Sequence, residues 1–245
     1  MWYIMRYMSR ETRCRAIILK KQAFGESDEI ITFFSRELGK IRCLAKSVKS
    51  PKSKLQQKLQ SLFVVDLSFT NGKLPKIISV EPVKVFSAMR ENLESLKRAF
   101  YAQELVLKFT ADEQKNEPLF FLLENFLEFL DMSAGDEIFD LGLLKFKLEI
   151  LRVLGLGVHN EIADGNHQPV FFSPVRGGFN GQPSADSLKV SADVYKLFLE
   201  LQTAEFKNLS DVKNISGEPD LQNLLSRFIE YQLERKVRSE KFLRQ

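Results

Sequence analysis

The hydrophobic periodicity of this 245-residue chain changes once, near residue 86. Before that point, apolar and β-branched residues recur in short runs that have the length and pattern of strands. Turn and loop signals separate five such runs, which cover residues 14–21, 29–35, 41–45, 61–70 and 74–86. Five short strands with a break between the third and the fourth predict a small closed barrel.

Two turns indicate how neighbouring strands pair. The connection Glu37-Leu38-Gly39-Lys40 is short, and Gly39 can take a positive φ at little cost, so the second and third strands should form an antiparallel hairpin. Asn71-Gly72 is a strong hairpin turn between the fourth and fifth strands. The expected fold is an OB-type barrel, which commonly binds oligonucleotides across one face and its bordering loops.

After residue 86 the apolar residues follow a helical rhythm. The predicted helices cover residues 90–109, 117–132, 136–154, 191–201 and 219–243, with a glycine-rich irregular loop over 155–185. The predicted fold class is α+β: an N-terminal five-stranded OB-fold β-barrel followed by an all-helical C-terminal domain with a loop insertion. We expect residues 1–12 to be a flexible extension, 13–86 to be the barrel and 87–245 to be the helical domain.

Charge is divided unevenly along the chain. Residues 1–86 contain 17 Lys or Arg and 7 Asp or Glu, a balance of +10, whereas the remainder has a balance of −6. This asymmetry predicts a basic module that meets a polyanion and is joined to a more acidic body. A soluble protein with unevenly scattered surface charge is the alternative.

A run from Arg36 to Leu59 concentrates the positive charge against a single acid, Glu37. Lysine contacts phosphate as a point charge without reading bases, so this run predicts sequence-independent, salt-sensitive DNA binding. The alternative is a solvated lysine loop. The candidate DNA-binding residues are Arg36, Lys40, Arg42, Lys46, Lys49, Lys52, Lys54 and Lys58.

Aromatic residues of the barrel could stack bases if any of them faces outward. Core packing is the favoured interpretation for this group, because large apolar side chains in a small barrel usually fill its interior. The candidates are Phe24, Phe33, Phe34, Phe63 and Phe69.

No enzyme signature is found: Walker A, HExxH and GxSxG patterns are all absent from the sequence. Glu26, Asp28 and Glu29 form an acidic cluster that leaves a metal-dependent nuclease as a rival hypothesis. His159 and His167 lie near Glu161 and Asp164 in the glycine-rich loop. Two histidines without a cysteine do not predict zinc, so we expect no catalytic residue, metal or cofactor.

The two cysteines, Cys14 and Cys43, are too few for a disulfide framework and favour a reducing compartment. The N-terminal residues lack a signal-peptide pattern, and no apolar run approaches the roughly 18 residues that cross a bilayer. The sequence therefore predicts a cytoplasmic protein that does not enter a membrane.

The first third of the chain resembles the bacterial recombination mediator RecO family in the order and spacing of several short motifs. Weaker similarity continues through the helices to Phe242-Leu243. The motifs are Ala16-Ile17-Ile18-Leu19, Glu26-Ser27-Asp28, Thr32-Phe33-Phe34-Ser35, Gly39-Lys40, Ala45-Lys46, Lys52-Ser53-Lys54-Leu55 and Leu59-Gln60.

The resemblance implies a protein that binds single- and double-stranded DNA and anneals complementary strands. It also implies that the chain works with RecR to load RecA onto DNA coated by single-stranded DNA-binding protein, and that its helical domain holds the C-terminal tail of that coating protein. Two departures stand out. Ser47 replaces the family's glycine after Ala-Lys, and the four cysteines that hold zinc in many members are absent, which implies a metal-free loop. An adaptor whose basic barrel docks an acidic protein remains the alternative function.

Overall fold

The computed structural model describes residues 11–50, 53–133, 138–162, 169–213 and 215–243. Most of the predicted extension 1–12 lies outside these residues. Contacts divide the chain into two compact units: the first takes in the chain up to Ser87 together with Gln103–Leu127, and the second takes in Ala88–Ala102 with Glu128–Gln245. The division into 13–86 and 87–245 stays a prediction, and the contact-based units differ from it by the segment Gln103–Leu127.

The first unit is built on five antiparallel strands in the order β3-β2-β1-β4-β5. The amide of Leu44 donates to the carbonyl oxygen of Pro75 over 2.7 Å, and Leu44 forms a parallel bridge with Lys76, so the two outer strands meet. The predicted OB-like barrel is therefore confirmed. Its elements are β1 (Glu11–Phe24), β2 (Asp28–Ser35), β3 (Gly39–Ala45), the short helix α1 (Leu55–Lys58), β4 (Val64–Thr70) and β5 (Ile77–Lys84).

Several strands of the barrel are buried on both faces: β1, β2 and β4 each contain consecutive buried residues. Ala16, Ile17, Ile18 and Leu19 are all buried, although successive strand residues point to opposite faces. The segment Gln103–Leu127, called here the covering segment, belongs to the same compact unit as the barrel. Its Gln103 side chain donates to the carbonyl oxygen of Ile18 over 3.5 Å.

Most of the candidate stacking aromatics are part of this interior. Phe33, Phe34 and Phe69 are fully buried, as predicted, and Phe63 is partly buried against the core. Phe24, at the end of β1, is 48% exposed. Of the five candidate rings, Phe24 is therefore the one that is largely exposed.

Both cysteines are buried thiols in the barrel. Removal from water raises the pKa of the Cys14 thiol to about 12. Cys14 is consequently protonated and unreactive at neutral pH, which suits a core residue.

Helices make up most of the remaining chain, together with two 3₁₀ turns and a small sheet ordered β6-β8-β7-β9. None of the helices within the described ranges is long and apolar enough to cross a membrane. The elements are α2 (Ser87–Glu91), α3 (Leu93–Phe109), α4 (Glu117–Met132), α5 (Phe139–Val153), β6 (His159–Asn160), β7 (Val170–Ser173), β8 (Gly178–Asn180), β9 (Leu188–Val190), α6 (Ala192–Thr203), the 3₁₀ turns Phe206–Asp211 and Ile215–Gly217, α7 (Glu218–Leu233) and α8 (Glu240–Leu243).

Two predictions for this part of the chain are wrong in detail. The loop over 155–185 is not wholly irregular, because it contains three strands of the small sheet; strands of two to four residues are too short to show an alternating pattern. The predicted helix 219–243 ends at Leu233, where Glu234 takes a left-handed conformation with φ 51°. The chain turns there because Val237 is buried and its amide donates to the Glu230 carboxylate.

The Asp186 carboxylate joins the end of β7 to the loop that precedes β9. Asp186 accepts from the Ser173 hydroxyl over 2.6 Å, from the Ser184 hydroxyl over 2.8 Å and from the Val175 amide over 3.2 Å. The hydrogen bond from Ser173 and then that from Ser184 lower the pKa of Asp186 to about 2.

This depressed pKa predicts an acid-sensitive sheet. The folded-state pKa lies below the usual value, so the stabilisation is fully present above pH 4 and is lost as the pH falls from about 4 to 2. Hydrogen exchange should show the amides of β7 losing protection over that range. In Asp186→Asn the protection of the β7 amides should no longer change between pH 4 and pH 2. If this variant showed the same pH profile as the wild type, Asp186 would not be the group responsible.

Candidate nucleic-acid interface

The outer face of β1, β2 and β3 carries charged and aromatic side chains in register. Thr32 pairs with Lys20 on one side and with Arg42 on the other, and Phe24 pairs with Asp28. Directly opposite residues share a face of the sheet, and residues two apart along a strand do so as well. Lys20 and Arg42 are exposed on this face, and Phe24 lies on it four residues beyond Lys20.

One end of this face is occupied by the covering segment. The Lys40 ammonium donates to the carbonyl oxygens of Leu107 at 3.0 Å and Thr110 at 2.6 Å, and it lies 3.7 Å from the Asp112 carboxylate. Its side chain is only 13% exposed. A cation that binds the last carbonyls of a helix stabilises that helix end. Lys40 therefore has a role inside the protein, and the interface that we propose below does not depend on it.

The other end of the face leads into a cationic loop between β3 and α1. Val48 and Leu59 are buried in the barrel core, and Leu55 packs against it. Lys46, Lys49 and Lys54 are exposed and lie close in sequence to these buried residues. The apolar residues hold the segment against the barrel, so its lysines are presented outward.

The base of this loop is fixed by the turn between β1 and β2. The Asp28 carboxylate accepts from the amide of Ser47 at 2.7 Å, and the carbonyl oxygen of Ser27 accepts from the amide of Lys49 at 3.0 Å. Ser47 takes a φ of 51°, in the region that favours glycine. This conformation explains why a glycine stands at that position in the family that the sequence resembles.

The remaining predicted residues are placed differently. Arg36 pairs with its neighbour Glu37 in the β2–β3 turn, and Lys58 binds both carboxylate oxygens of Glu81 at 2.7 and 2.8 Å. Arg42 pairs with Asp112, but its side chain is 62% exposed. Arg42 therefore stays accessible on the strand that leads into the loop with the exposed lysines. Lys52 lies outside the described residues.

Three further lysines, Lys20, Lys73 and Lys76, were not among the predicted residues but are also exposed on the barrel. Lys73 and Lys76 lie in the connection from β4 to β5, and the bridge between Lys76 and Leu44 sets this connection beside the end of β3. Lysines flanking the Asn71-Gly72 turn were the available signal, but only closure of the barrel places them here. We call the resulting set the cationic face: Lys20, Arg42, Lys46, Lys49, Lys54, Lys73 and Lys76.

The residues considered for metal binding do not form a centre in the part of the chain that the structure describes. There, no three His, Cys, Asp or Glu side chains are grouped so that they could hold an ion. Within the acidic cluster Glu26, Asp28 and Glu29, the Asp28 side chain is used to hold Ser47. His159 and Glu161 are exposed, and His167 and Asp164 lie outside the described residues.

An OB-like barrel with a cationic outer face, followed by helices, defines a small two-part protein of the oligonucleotide-binding architecture. The sequence matches the family models for the N-terminal part of recombination protein O over residues 8–86 and for its C-terminal part over residues 90–241. The chain belongs to the recombination protein O family.

Individual relatives agree with the family models. The chain is 30% identical over 210 residues to the DNA repair protein RecO of Dehalococcoides mccartyi (strain CBDB1), covering 82% of each chain. It is 30% identical over 241 residues to the DNA repair protein RecO of Pelotomaculum thermopropionicum, covering 93% of this chain and 91% of the relative. The DNA repair protein RecO of Moorella thermoacetica is 27% identical over 248 residues, covering 94% and 90%.

Proposed function

We propose that this chain binds DNA through the cationic face and acts in recombinational DNA repair. The observation that carries the proposal is the convergence of six lysines and one arginine on the outer side and bordering loops of an OB-like barrel. Lysine ammonium groups neutralise phosphates and release counterions, which favours binding to either single or double strands. The names of the relatives support the repair role.

The mechanism follows from electrostatics alone. Cations on one face can hold two phosphate backbones near each other, because they reduce the repulsion between the strands. Base pairing then supplies the free energy of annealing, so no nucleotide hydrolysis is needed. We therefore propose that the chain is a non-catalytic strand-annealing protein without a cofactor.

The family resemblance extends the proposal to partners and location. We propose that the chain works with RecR to load RecA onto DNA coated by single-stranded DNA-binding protein, whose C-terminal tail binds the helical part of the chain. These partners act on chromosomal DNA, so the proposed location is the cytoplasm. Buried cysteine thiols suit a reducing compartment.

Salt dependence tests the DNA-binding step. If five to eight phosphates are contacted, the logarithm of affinity should fall linearly with the logarithm of salt concentration, with a slope of about −3.5 to −7. The full chain should also anneal complementary strands in the presence of a chelator. Affinity that does not change with salt would contradict the proposal, and an acidic protein would then be the better candidate for the cationic face. Cleavage of DNA with Mg²⁺ or Mn²⁺ would instead favour the nuclease hypothesis.

A further inference from the structure

Phe24 is an exposed aromatic residue on the face of the barrel that carries Lys20. It is 48% exposed, whereas Phe33, Phe34 and Phe69 of the same barrel are fully buried. Phe24 ends β1, directly before the turn that begins at Gly25. Neither the core nor the turn accounts for an aromatic side chain at this position.

The position of Phe24 within the cationic face is set by strand register. Phe24 lies opposite Asp28, and the Asp28 carboxylate binds the amide of Ser47 at 2.7 Å. Lys46 immediately precedes Ser47, and Lys20 occupies the same face of β1 four residues before Phe24. Phe24 therefore shares its face of β1 with Lys20, and its strand partner Asp28 binds the residue that follows Lys46.

We propose that Phe24 stacks on an unpaired base and thereby gives the cationic face a preference for single strands. This inference rests on the DNA-binding function proposed above. Phosphates are equally available in single and double strands, so lysines alone discriminate weakly between them. The π-face of a base is open in a single strand but is covered by its neighbours in a duplex. An exposed ring near phosphate-binding lysines therefore favours the single strand over the duplex. This preference does not depend on base sequence, because every base has a π-face.

The test compares single-strand and duplex affinities of full-length variants at equal salt. A thymine oligonucleotide and a blunt hairpin duplex serve as probes. In Phe24→Ala, affinity for the single strand should fall roughly 5- to 100-fold, while affinity for the duplex and the salt slope stay unchanged. Phe24→Tyr should restore single-strand binding, because a phenol ring also stacks. Phe121→Ala is the matched control, since Phe121 is 41% exposed on α4 and should affect neither probe.

A fluorescent base analogue gives a readout that a merely structural role would not change. With 2-aminopurine in the single strand, the wild type and Phe24→Tyr should quench its emission, and Phe24→Ala should not. Equal loss of affinity for both probes, or no loss for either, would overturn the stacking role. If the wild type binds neither probe at low salt, the DNA-binding proposal itself fails. If the wild type binds DNA and Phe24→Ala binds with the same affinity, only the stacking role fails.

Discussion

Replacing Lys46, Lys49 and Lys54 together by Glu should lower the affinity of the full chain for DNA by about a thousandfold at low salt. Each change removes a phosphate-binding cation and introduces a like charge, and the three positions form one exposed loop. Strand annealing should be lost as well. Fluorescence anisotropy with a labelled oligonucleotide measures the binding, and thermal unfolding should show an intact fold because none of the three side chains belongs to the core.

A matched control separates this loop from the effect of net charge. Lys189, Lys196 and Lys213 are exposed residues of the second unit, and replacing them by Glu changes the net charge by the same amount. The control variant should bind DNA with a loss of less than about tenfold, because these three lysines are not part of the cationic face and their loss removes no proposed phosphate contact. Equal losses in both variants would show that the protein uses overall charge and not the cationic loop.

Replacing Gly39 by Ala should destabilise the protein by about 2–5 kcal/mol, one of the larger effects expected of a single substitution on its folding. Gly39 has a φ of 72°, and an added Cβ would lie 2.0 Å from the carbonyl oxygen of Gln114 in the covering segment. Both groups are backbone, so neither can rotate away. The amide of Glu113 also donates to the carbonyl oxygen of Lys40 at 2.8 Å, and this hydrogen bond would be strained. Urea unfolding measures the loss.

Gly25→Ala is the matched control for conformation alone. Gly25 has a similar φ of 68°, but nothing lies within 4 Å of the Cβ that would be added. Its cost should be limited to the left-handed conformation, about 1–2 kcal/mol. The difference between the two variants isolates the close approach between the barrel and the covering segment. If both substitutions destabilised the protein equally, Gly39 would not be in close contact with the covering segment.

Local patterns were sufficient to predict the barrel. The two short connections at Gly39 and Asn71-Gly72 indicated which strands pair, and the runs of apolar and β-branched residues indicated where the strands lie. The fully buried run Ala16–Leu19 departs from alternation, and the sequence gives no sign that the distant segment Gln103–Leu127 belongs to the same unit. The short strands of the second unit escaped prediction because two to four residues contain too little periodicity.

The candidate site was only partly predictable, because a lysine in the sequence does not reveal what its ammonium group meets. Lys40 and Lys46 look alike in the basic run, yet Lys40 binds two carbonyl oxygens of the covering segment whereas Lys46 is exposed. Lys76 lies outside that run, but the bridge to Leu44 brings it to the same surface. Asp28 belongs to the acidic cluster on which the nuclease hypothesis rests, but its carboxylate accepts a hydrogen bond from the Ser47 amide at the base of the cationic loop.

The sequence by itself determined the strands, their hairpin turns, the change to helices and the excess of positive charge in the first third, because these properties depend on residues close together in the chain. Only the tertiary structure decided which cations share a surface and that Phe24 lies among them. Closure of the barrel between β3 and β5 and packing of the covering segment join residues that are 30 to 70 positions apart, and no local pattern encodes such contacts.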